Sequence, residues 1–200
     1  MDAGHARRYS VKIGVGVEGP SDRDFWDKVL HKHFLKVRFD IRNMGNRNKL
    51  IRETPNLLET FRDAHYAAGF ILIDRNSTPC VSAVVQEFDA AIQTEARKPV
   101  SERFLYVCVA IKEMEAWYLA DAPAIVAVLP RSGYRAVPET GCLNAEKVLK
   151  DLWKKQHGKA SALNKIDFAK MVAPKFKPPE AVRHSASFSY FWAGLKQKAR

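Results

Sequence analysis

Acidic residues follow three separate apolar runs of this sequence, each at the point where the run ends. They are Glu18 after Val11–Val17, Asp74 after Phe70–Ile73, and Glu113 with Glu115 after Phe104–Ile111. If each run is a strand of one parallel sheet, the carboxyl ends of the strands meet at one edge and bring these side chains together. Carboxylate oxygens suit Mg²⁺ or Mn²⁺, which bind phosphate oxygens and activate water. The pattern predicts a divalent-metal site.

Each acid also has a simpler interpretation, because a carboxylate can cap a helix or lie solvated in a loop. A single acid after a strand would carry no weight. Three acids at successive strand ends favour a shared site over three separate structural roles.

The elements that would position these acids alternate along the chain. Strand patterns lie at Val11–Val17, Val37–Ile41, Phe70–Asp74 and Phe104–Ile111, and helical spacing separates them. This βαβαβαβ order predicts an α/β fold, a mostly parallel sheet with helices on both faces. After the last strand pattern the apolar residues recur at helical spacing. They predict helices at Met114–Ala127, Ala145–Gln156, Asn164–Val172 and Phe188–Lys198. We expect an α/β domain over 1–122 and a helical C-terminal extension packed on it over 123–200.

Composition narrows the class of protein. The chain has 200 residues, of which 46% are hydrophobic, so it can bury the core of a single domain. Cys80, Cys108 and Cys142 are widely spaced without a CxxC pair, which indicates neither a zinc site nor a disulfide framework. No apolar run is long enough to span a bilayer, and residues 1–10 lack the apolar segment of a signal peptide. We therefore expect a cytoplasmic protein.

The positive charge is concentrated in the last quarter of the chain. Residues 144–200 hold 13 Lys and Arg against 4 Asp and Glu, which is most of the net charge of +11. Such a segment suits a polyanion such as nucleic acid, and Lys154, Lys155 and Lys159 are the candidate contact residues. A solvated basic helix face is an equally good interpretation.

A glycine pattern overlaps the first strand. Gly14, Gly16 and Gly19 fit G-x-G-x-x-G, the phosphate-binding turn of dinucleotide-binding folds. Pro20 places the turn after Gly19, so the first two glycines fall inside the strand, and Glu18 would face a pyrophosphate with like charge. The pattern alone is weak evidence for a nucleotide cofactor.

The motifs resemble a known family. The run VEGPSD, residues 17–22, with the aromatic-rich helix after it, is similar to the first motif of the Toprim domain of topoisomerases, primases and overcoming-lysogenization-defect nucleases. The sequence Asp74-Arg75-Asn76 stands where that domain has D-x-D. Residues 113–121, EMEAWYLAD, and 185–188, SASF, are similar to boxes of a small prokaryotic Toprim-like family, domain-of-unknown-function family 4276. The resemblance covers nearly the whole chain.

This resemblance implies roles for individual residues. Glu18 would be the general acid/base or a metal ligand, and Asp74 and Glu115 would also ligate Mg²⁺ or Mn²⁺. Asn76 would take the place of the second aspartate, where its neutral amide binds a cation more weakly. That departure puts two-metal catalysis in doubt.

Four neighbours of these ligands would have supporting roles. Asp22 and Glu113 would contact the metal ligands and not the metal itself. For Asp22, a position at the N-terminus of a helix is an alternative explanation. Arg75 and Lys112 could hold a phosphate or form ion pairs with the acids.

We expect metal-dependent cleavage of phosphodiester bonds in DNA or RNA. The resemblance also implies a partner ATPase in a defence-type system, because related nucleases often work with one. The alternative is a non-enzymatic module that binds nucleic acid or protein and keeps a weakened metal site, which Asn76 favours.

Overall fold

A four-stranded, all-parallel sheet forms the centre of the molecule. The computed structural model describes residues 11–142, 144–158 and 160–200. The strands are β1 (Val11–Val17), β2 (Val37–Asn43), β3 (Ala68–Asp74) and β4 (Leu105–Ala110), in the spatial order β2-β1-β3-β4. The predicted α/β fold with a parallel sheet is confirmed.

Helices cover both faces of this sheet. The described helices are α1 (Pro20–His33), α2 (Arg47–Asp63), α3 (Val81–Gln86), α4 (Ala90–Arg97), α5 (Glu115–Leu119), α6 (Ala122–Val128), α7 (Ala145–His157), α8 (Lys165–Val172), α9 (Pro178–His184) and α10 (Ala186–Lys198). Two short 3-10 helices, Pro130–Ser132 and Glu139–Gly141, lie between α6 and α7. Buried side chains of α2, α3 and α4 share one core with Ile71 and Val109, while those of α1 and the later helices share the other with Val15 and Phe70.

The core on the α1 face is rich in aromatic rings. Trp26 is fully buried, and its ring centroid lies 5.7 Å from that of Trp117, 6.1 Å from that of Phe188 and 5.1 Å from that of Phe191. These rings come from α1, α5 and α10, so helices on both sides of residue 122 contribute to the same core. Phe176 and Trp192, which lie among lysines in the sequence, are buried here.

The two glycines inside β1 allow α2 to pack against the sheet. A Cβ atom on Gly14 would lie 2.3 Å from the ring of Phe61, and one on Gly16 would lie 2.9 Å from a methyl group of Leu57. Both residues belong to β1 rather than to a turn. Their role is close helix–sheet packing, so the pattern is not a phosphate-binding loop.

Two predicted helices are divided in the structure, and one helix is additional. The apolar spacing of Val84, Phe88 and Ile92 predicts one helix over Val81–Ala96, but the structure has two, because Asp89 caps α4 by accepting from the N–H of Ile92 at 2.9 Å. The helix predicted over Met114–Ala127 is also divided, because Asp121 accepts from the N–H of Ala124 at 3.1 Å and begins α6. The helix α9 was not predicted, since its first turn consists of prolines.

The order of the strands places a crevice between β1 and β3. After β1 the chain moves outward to β2, and it then returns across β1 to form β3 and β4. Ligands of open α/β sheets bind at the carboxyl ends of the strands where the order reverses in this way. Glu18 and Asp74 lie at that position.

Two further observations concern the sequence-based expectations. Every helix in the described part of the chain is too short or too polar to cross a membrane. Residues 1–10, on which the expectation of no signal peptide depends, and Lys159 lie outside the described residues.

Candidate functional site

Four carboxylates line one pocket of about 240 Å³ at the carboxyl edge of the sheet. They come from different elements: Glu18 follows β1, Asp22 is in the first turn of α1, Asp74 ends β3 and Glu115 begins α5. Backbone and side chains of Gly19, Ser21, Gly45, Asn46, Arg47 and Lys165 complete the lining. Glu18, Asp74 and Glu115, which the sequence predicted as a group, are therefore brought to one pocket.

Glu18 and Asp74 are joined directly. The backbone N–H of Asp74 donates to Oε1 of Glu18 at 2.8 Å, which fixes the glutamate side chain across the gap between β1 and β3. The Oδ1 atom of Asp74 is buried and has no hydrogen-bond partner. A buried carboxylate oxygen without a donor is costly, so this atom is available to a cation.

Asp22 is held from the other side by Tyr118. The Tyr118 hydroxyl donates to Oδ1 of Asp22 at 3.2 Å, and the rings of Tyr118 and Phe25 lie 4.1 Å apart. Burial raises the pKa of the Tyr118 hydroxyl well above its usual range. The hydroxyl therefore stays protonated and keeps Asp22 directed into the pocket.

Glu115 and Glu113 have separate roles: Glu115 begins α5, whereas Glu113 precedes that helix. Glu115 is 4% exposed and forms an ion pair with Lys165. Glu113 turns the other way, and its Oε2 accepts from the N–H of Glu146 at 2.7 Å in the first turn of α7. Glu113 therefore holds α7 in place and does not line the pocket.

Burial raises the pKa values of three of these carboxylates, and like charges nearby add to the effect. Burial is the largest cause for Glu18, Asp22 and Asp74. The negative charge of Glu115 is the next cause for Asp22, whose pKa rises from 3.8 to about 7. The pKa of Asp74 lies well above its usual range because burial is joined by the charges of Glu18, Asp22 and Glu115. The pocket therefore favours either protons or a cation.

Two cations of the chain lie among these acids, and sequence reasoning missed both. Arg47 begins α2, donates to the carbonyl oxygen of Asp74, and has its guanidinium 3.8 Å from Oε1 of Glu18. Lys165 begins α8 and contacts Glu115 and Glu146, the latter at 3.4 Å. These acids outweigh burial, which acts in the opposite direction, and raise the pKa of Lys165.

The sequence contains an indication of a site role for Arg47 but none for Lys165. Arg47 follows the end of β2, so the same strand-end argument that found the acids would have found it. Lys165 lies far along the chain in a helical segment, and no local pattern separates it from other lysines. Only the packing of α8 against α1 brings it to the pocket.

The other predicted neighbours lie outside the pocket lining. Asn76 is exposed, and its backbone N–H donates to the carbonyl oxygen of Lys112 at 2.8 Å. The guanidinium of Arg75 donates to the carbonyl oxygen of Pro79 at 3.0 Å. The predicted metal ligand Asn76 thus does not line the pocket. The same is true of Arg75 and Lys112, which were predicted to hold a phosphate.

The predicted nucleic-acid surface is described only in part. Lys154 is exposed on α7. Lys155 is also exposed, but its ammonium donates to the carbonyl oxygen of Ser132 at 2.7 Å. Lys159 lies outside the described residues.

The SASF motif is explained by a buried glutamate that sequence reasoning did not single out. Glu139 is 5% exposed, and its carboxylate accepts from the N–H of Ile111 at 3.1 Å and from the indole of Trp117 at 3.2 Å. It also accepts from the hydroxyl of Ser185 at 2.9 Å and from the N–H of Ser187 at 3.2 Å. Residues 113–121 and 185–188 meet at this carboxylate, which joins the end of β4 to α5 and α10.

The four carboxylates line one pocket without forming a metal site in their present positions. Within residues 11–142, 144–158 and 160–200, no three His, Cys, Asp or Glu side chains are positioned to hold a metal ion without rearrangement. A divalent ion would therefore require the side chains to turn toward each other, and Glu115 to exchange its contact with Lys165. The donors themselves, four carboxylates of which one oxygen is buried without a partner, suit Mg²⁺ or Mn²⁺.

Comparison with known proteins identifies a family. A family model described as "Domain of unknown function (DUF4276)" matches residues 17–196. Neither a curated protein nor a solved structure matches the chain.

Proposed function

Because this chain belongs to the DUF4276 family, whose description names no activity, we propose its function from the site: metal-dependent cleavage of phosphodiester bonds in DNA or RNA. One observation carries the proposal. Four carboxylates converge at the carboxyl edge of a parallel sheet, at the position where its strand order reverses.

The electrostatics of the pocket support a cation there. Three of the four carboxyl groups have raised pKa values because burial and like charges disfavour their ionised forms. A divalent ion would remove that repulsion, and Glu18, Asp22, Asp74 and Glu115 are the side chains that would hold it. When bound, such an ion would stabilise negative charge on a phosphate and activate water.

The protein supplies the remaining parts. The hydrogen bond from Asp74 and the hydroxyl of Tyr118 orient two of the carboxylates before any ligand arrives. Arg47 and Lys165 lie on the pocket wall, where their cationic groups can bind a phosphate oxygen. Preorganised charges of this kind stabilise a developing charge without reorganisation.

We further propose that the sheet and site are related to those of the Toprim domain. The support is the placement of Glu18 and Asp74 on neighbouring strands β1 and β3, together with the order of the sequence motifs. In this proposal the first-motif glutamate and the first aspartate of D-x-D keep their positions. A partner ATPase in a defence-type system is a further prediction from the same resemblance.

The test is a digest of supercoiled plasmid and of structured RNA with Mg²⁺, with Mn²⁺ and with a chelator. We expect cleavage that requires the metal and that Asp74→Asn reduces by at least about a hundredfold, since a direct ligand should cost no less than a second-shell partner. The matched control is Asp27→Asn on exposed α1 surface, which should cleave as the wild type does. Metal-independent cleavage, or equal loss in both variants, would refute the proposal.

A second function is favoured by one observation, the exposed position of Asn76 where a second carboxylate is usual. In this alternative the protein binds nucleic acid or a protein without cleaving. The same samples distinguish the two functions. Metal-dependent mobility shifts of the nucleic acid without cleavage products would support the binding module.

A further inference from the structure

Strand β4 forms one edge of the sheet, beside β3. The carbonyl oxygens of Phe104 and Ala110 accept hydrogen bonds from the β3 side at 2.9 and 3.0 Å. Main-chain groups of successive residues point to opposite sides of a strand, so those of Leu105, Val107 and Val109 point away from β3. Ile111 continues this series, and its N–H donates to Glu139 at 3.1 Å.

A groove of about 570 Å³ runs along this edge. Its floor is Val107, Val109 and Ile111. One wall is formed by α3 and α4, and the other by the first two turns of α10. The wall residues are Val81, Ser82, Val85, Ala96 and Arg97 on one side and Ala186, Ser187 and Tyr190 on the other, with Glu139 and Thr140 at the end.

The groove is apolar and partly open. Val81 and Tyr190 are each 42% exposed, and they line the same groove from opposite walls. Exposed apolar surface gathered in one groove, unlike isolated exposed side chains, is typical of a binding site. Val107 and Val109 are 8% and 4% exposed, so the floor lies below the two walls. The strand edge is therefore recessed and can be reached by a slender chain.

Cationic side chains lie at the end of the groove near the start of β4. Arg97 is exposed there and contacts Gln93 at 3.4 Å. The guanidinium of Arg103 donates to the hydroxyl of Tyr190 and to the carbonyl oxygen of Lys98, the latter at 2.8 and 3.2 Å, and it keeps its positive charge. At the opposite end the Glu139 carboxylate is already occupied by donors from Ile111, Trp117 and the two serines of α10. Among the described lining residues, the groove thus has the positive charge of Arg97 at one end and a carboxylate already bonded within the protein at the other.

We propose that this groove binds an extended segment of a partner protein by strand addition to β4, with apolar side chains between the walls and an acidic residue beside Arg97 and Arg103. An extended backbone fits because its N–H and C=O groups repeat at the spacing of those on β4. The floor from Val107 to Ile111 is about 13 Å long, enough for four or five extended residues. An α-helix uses its N–H and C=O groups within the helix, so it cannot make such main-chain hydrogen bonds to a strand edge.

A second copy of this chain fits the groove less well. Its own β4 edge is equally recessed, so two such edges cannot come within hydrogen-bonding distance. The proposal is independent of the phosphodiesterase site, which lies at the carboxyl edge of the sheet.

The test uses a fluorescent hexapeptide of sequence Asp-Val-Thr-Val-Thr-Val and measures anisotropy against protein concentration. Two N-methylated versions are compared, one blocking the amides of residues 2 and 4 and the other those of residues 3 and 5. Strand addition predicts a micromolar Kd, a loss of at least about tenfold for one version, and a change within about twofold for the other. Equal effects of both versions, or no binding at millimolar concentration, overturn the proposal.

Variants locate the peptide. Val81→Glu should weaken binding by about tenfold, whereas Val137→Glu should not, since Val137 is 44% exposed but does not line the groove. Arg97→Glu should weaken binding of the Asp peptide and strengthen that of a Lys-substituted one. Sedimentation analysis supplies the last check: a concentration-dependent dimer that Val81→Glu abolishes would assign the groove to a second copy and overturn the proposal.

Discussion

The backbone N–H of Asp74 donates a hydrogen bond of 2.8 Å to Oε1 of Glu18, which joins the end of β3 to the residue after β1. The same carboxylate lies 3.8 Å from the Arg47 guanidinium, which in turn donates to the carbonyl oxygen of Asp74. Glu18 is thereby held by main chain and by charge at the point where the strand order reverses. Its second oxygen can then serve a ligand without disturbing the sheet.

Replacing Glu18 with Gln should weaken Mn²⁺ binding by at least about tenfold, because one negative charge leaves the cluster. The amide oxygen can still accept from Asp74, so the fold should be kept. Titration calorimetry measures the affinity, and circular dichroism checks the fold. Glu102→Gln, in an exposed turn, is the matched control and should bind as the wild type does. Unchanged affinity in Glu18→Gln would remove this residue from the metal site.

Replacing Asn76 with Asp should change Mn²⁺ affinity by less than about twofold, because the side chain is exposed outside the pocket lining and surface charges are screened. The backbone φ of 51° at this position is tolerated by Asp as well as Asn, so the substitution is not strained. Calorimetry again gives the affinity, with Asp74→Asn as the contrasting variant. Much tighter binding would place residue 76 at the metal after all.

Replacing Lys165 with Met should tighten Mn²⁺ binding by about tenfold, because the ammonium no longer competes for Glu115. The same change should lower the melting temperature of the metal-free protein, since a buried carboxylate loses its partner. Lys170→Met is the control on the same helix, where its ammonium lies 3.4 Å from Asp24. Weaker Mn²⁺ binding in Lys165→Met would show that the lysine supports the metal site.

The stability of the metal-free protein should fall as the pH rises through the pKa of Asp22. That pKa is about 7 in the folded protein, whereas the ordinary value for an aspartate, which applies to the unfolded chain, is 3.8. Between these two pH values the folded protein therefore binds a proton that the unfolded chain has released. The free energy of unfolding therefore decreases with pH across this window. Asp22→Asn should make the decrease smaller, as melting temperatures in the presence of a chelator would show, and the remainder belongs to Glu18 and Asp74, whose pKa values burial also raises. Asp27→Asn on the same helix should retain the whole decrease.

Nucleic-acid binding should weaken as salt increases, because phosphate contacts release counterions. Changing Lys154, Lys155 and Lys159 to Gln should reduce the slope of log K against log salt by about two to three, and equally for all sequences. Electrophoretic mobility shifts at several salt concentrations measure this slope. Lys12→Gln, exposed near the amino end of β1 and outside the basic C-terminal segment, serves as the control. An unchanged slope would exclude this basic face.

Much of the fold could be predicted from local patterns. The strands were placed to within a few residues because each is a short apolar or alternating run, and their order with the intervening helices requires a parallel sheet. The helix boundaries at Asp89 and Asp121 were missed because a capping side chain interrupts a helical period without changing it. The prolines that begin α9 look like a turn in sequence and become a first helical turn only when the chain around them is placed.

For the site, the sequence by itself determined which acids end the strands, since a parallel sheet collects those ends at one edge. Tertiary structure decided the rest. The turn after β3, where Asn76 has a φ of 51°, left Asn76 exposed outside the pocket lining. The packing of α8 on α1 brought Lys165 to Glu115, and the docking of α10 brought Ser187 to Glu139. These are contacts between residues distant in the chain, and no local periodicity encodes which side chains will meet. Periodicity specifies which face of an element is buried, whereas the partners depend on how whole elements fit together.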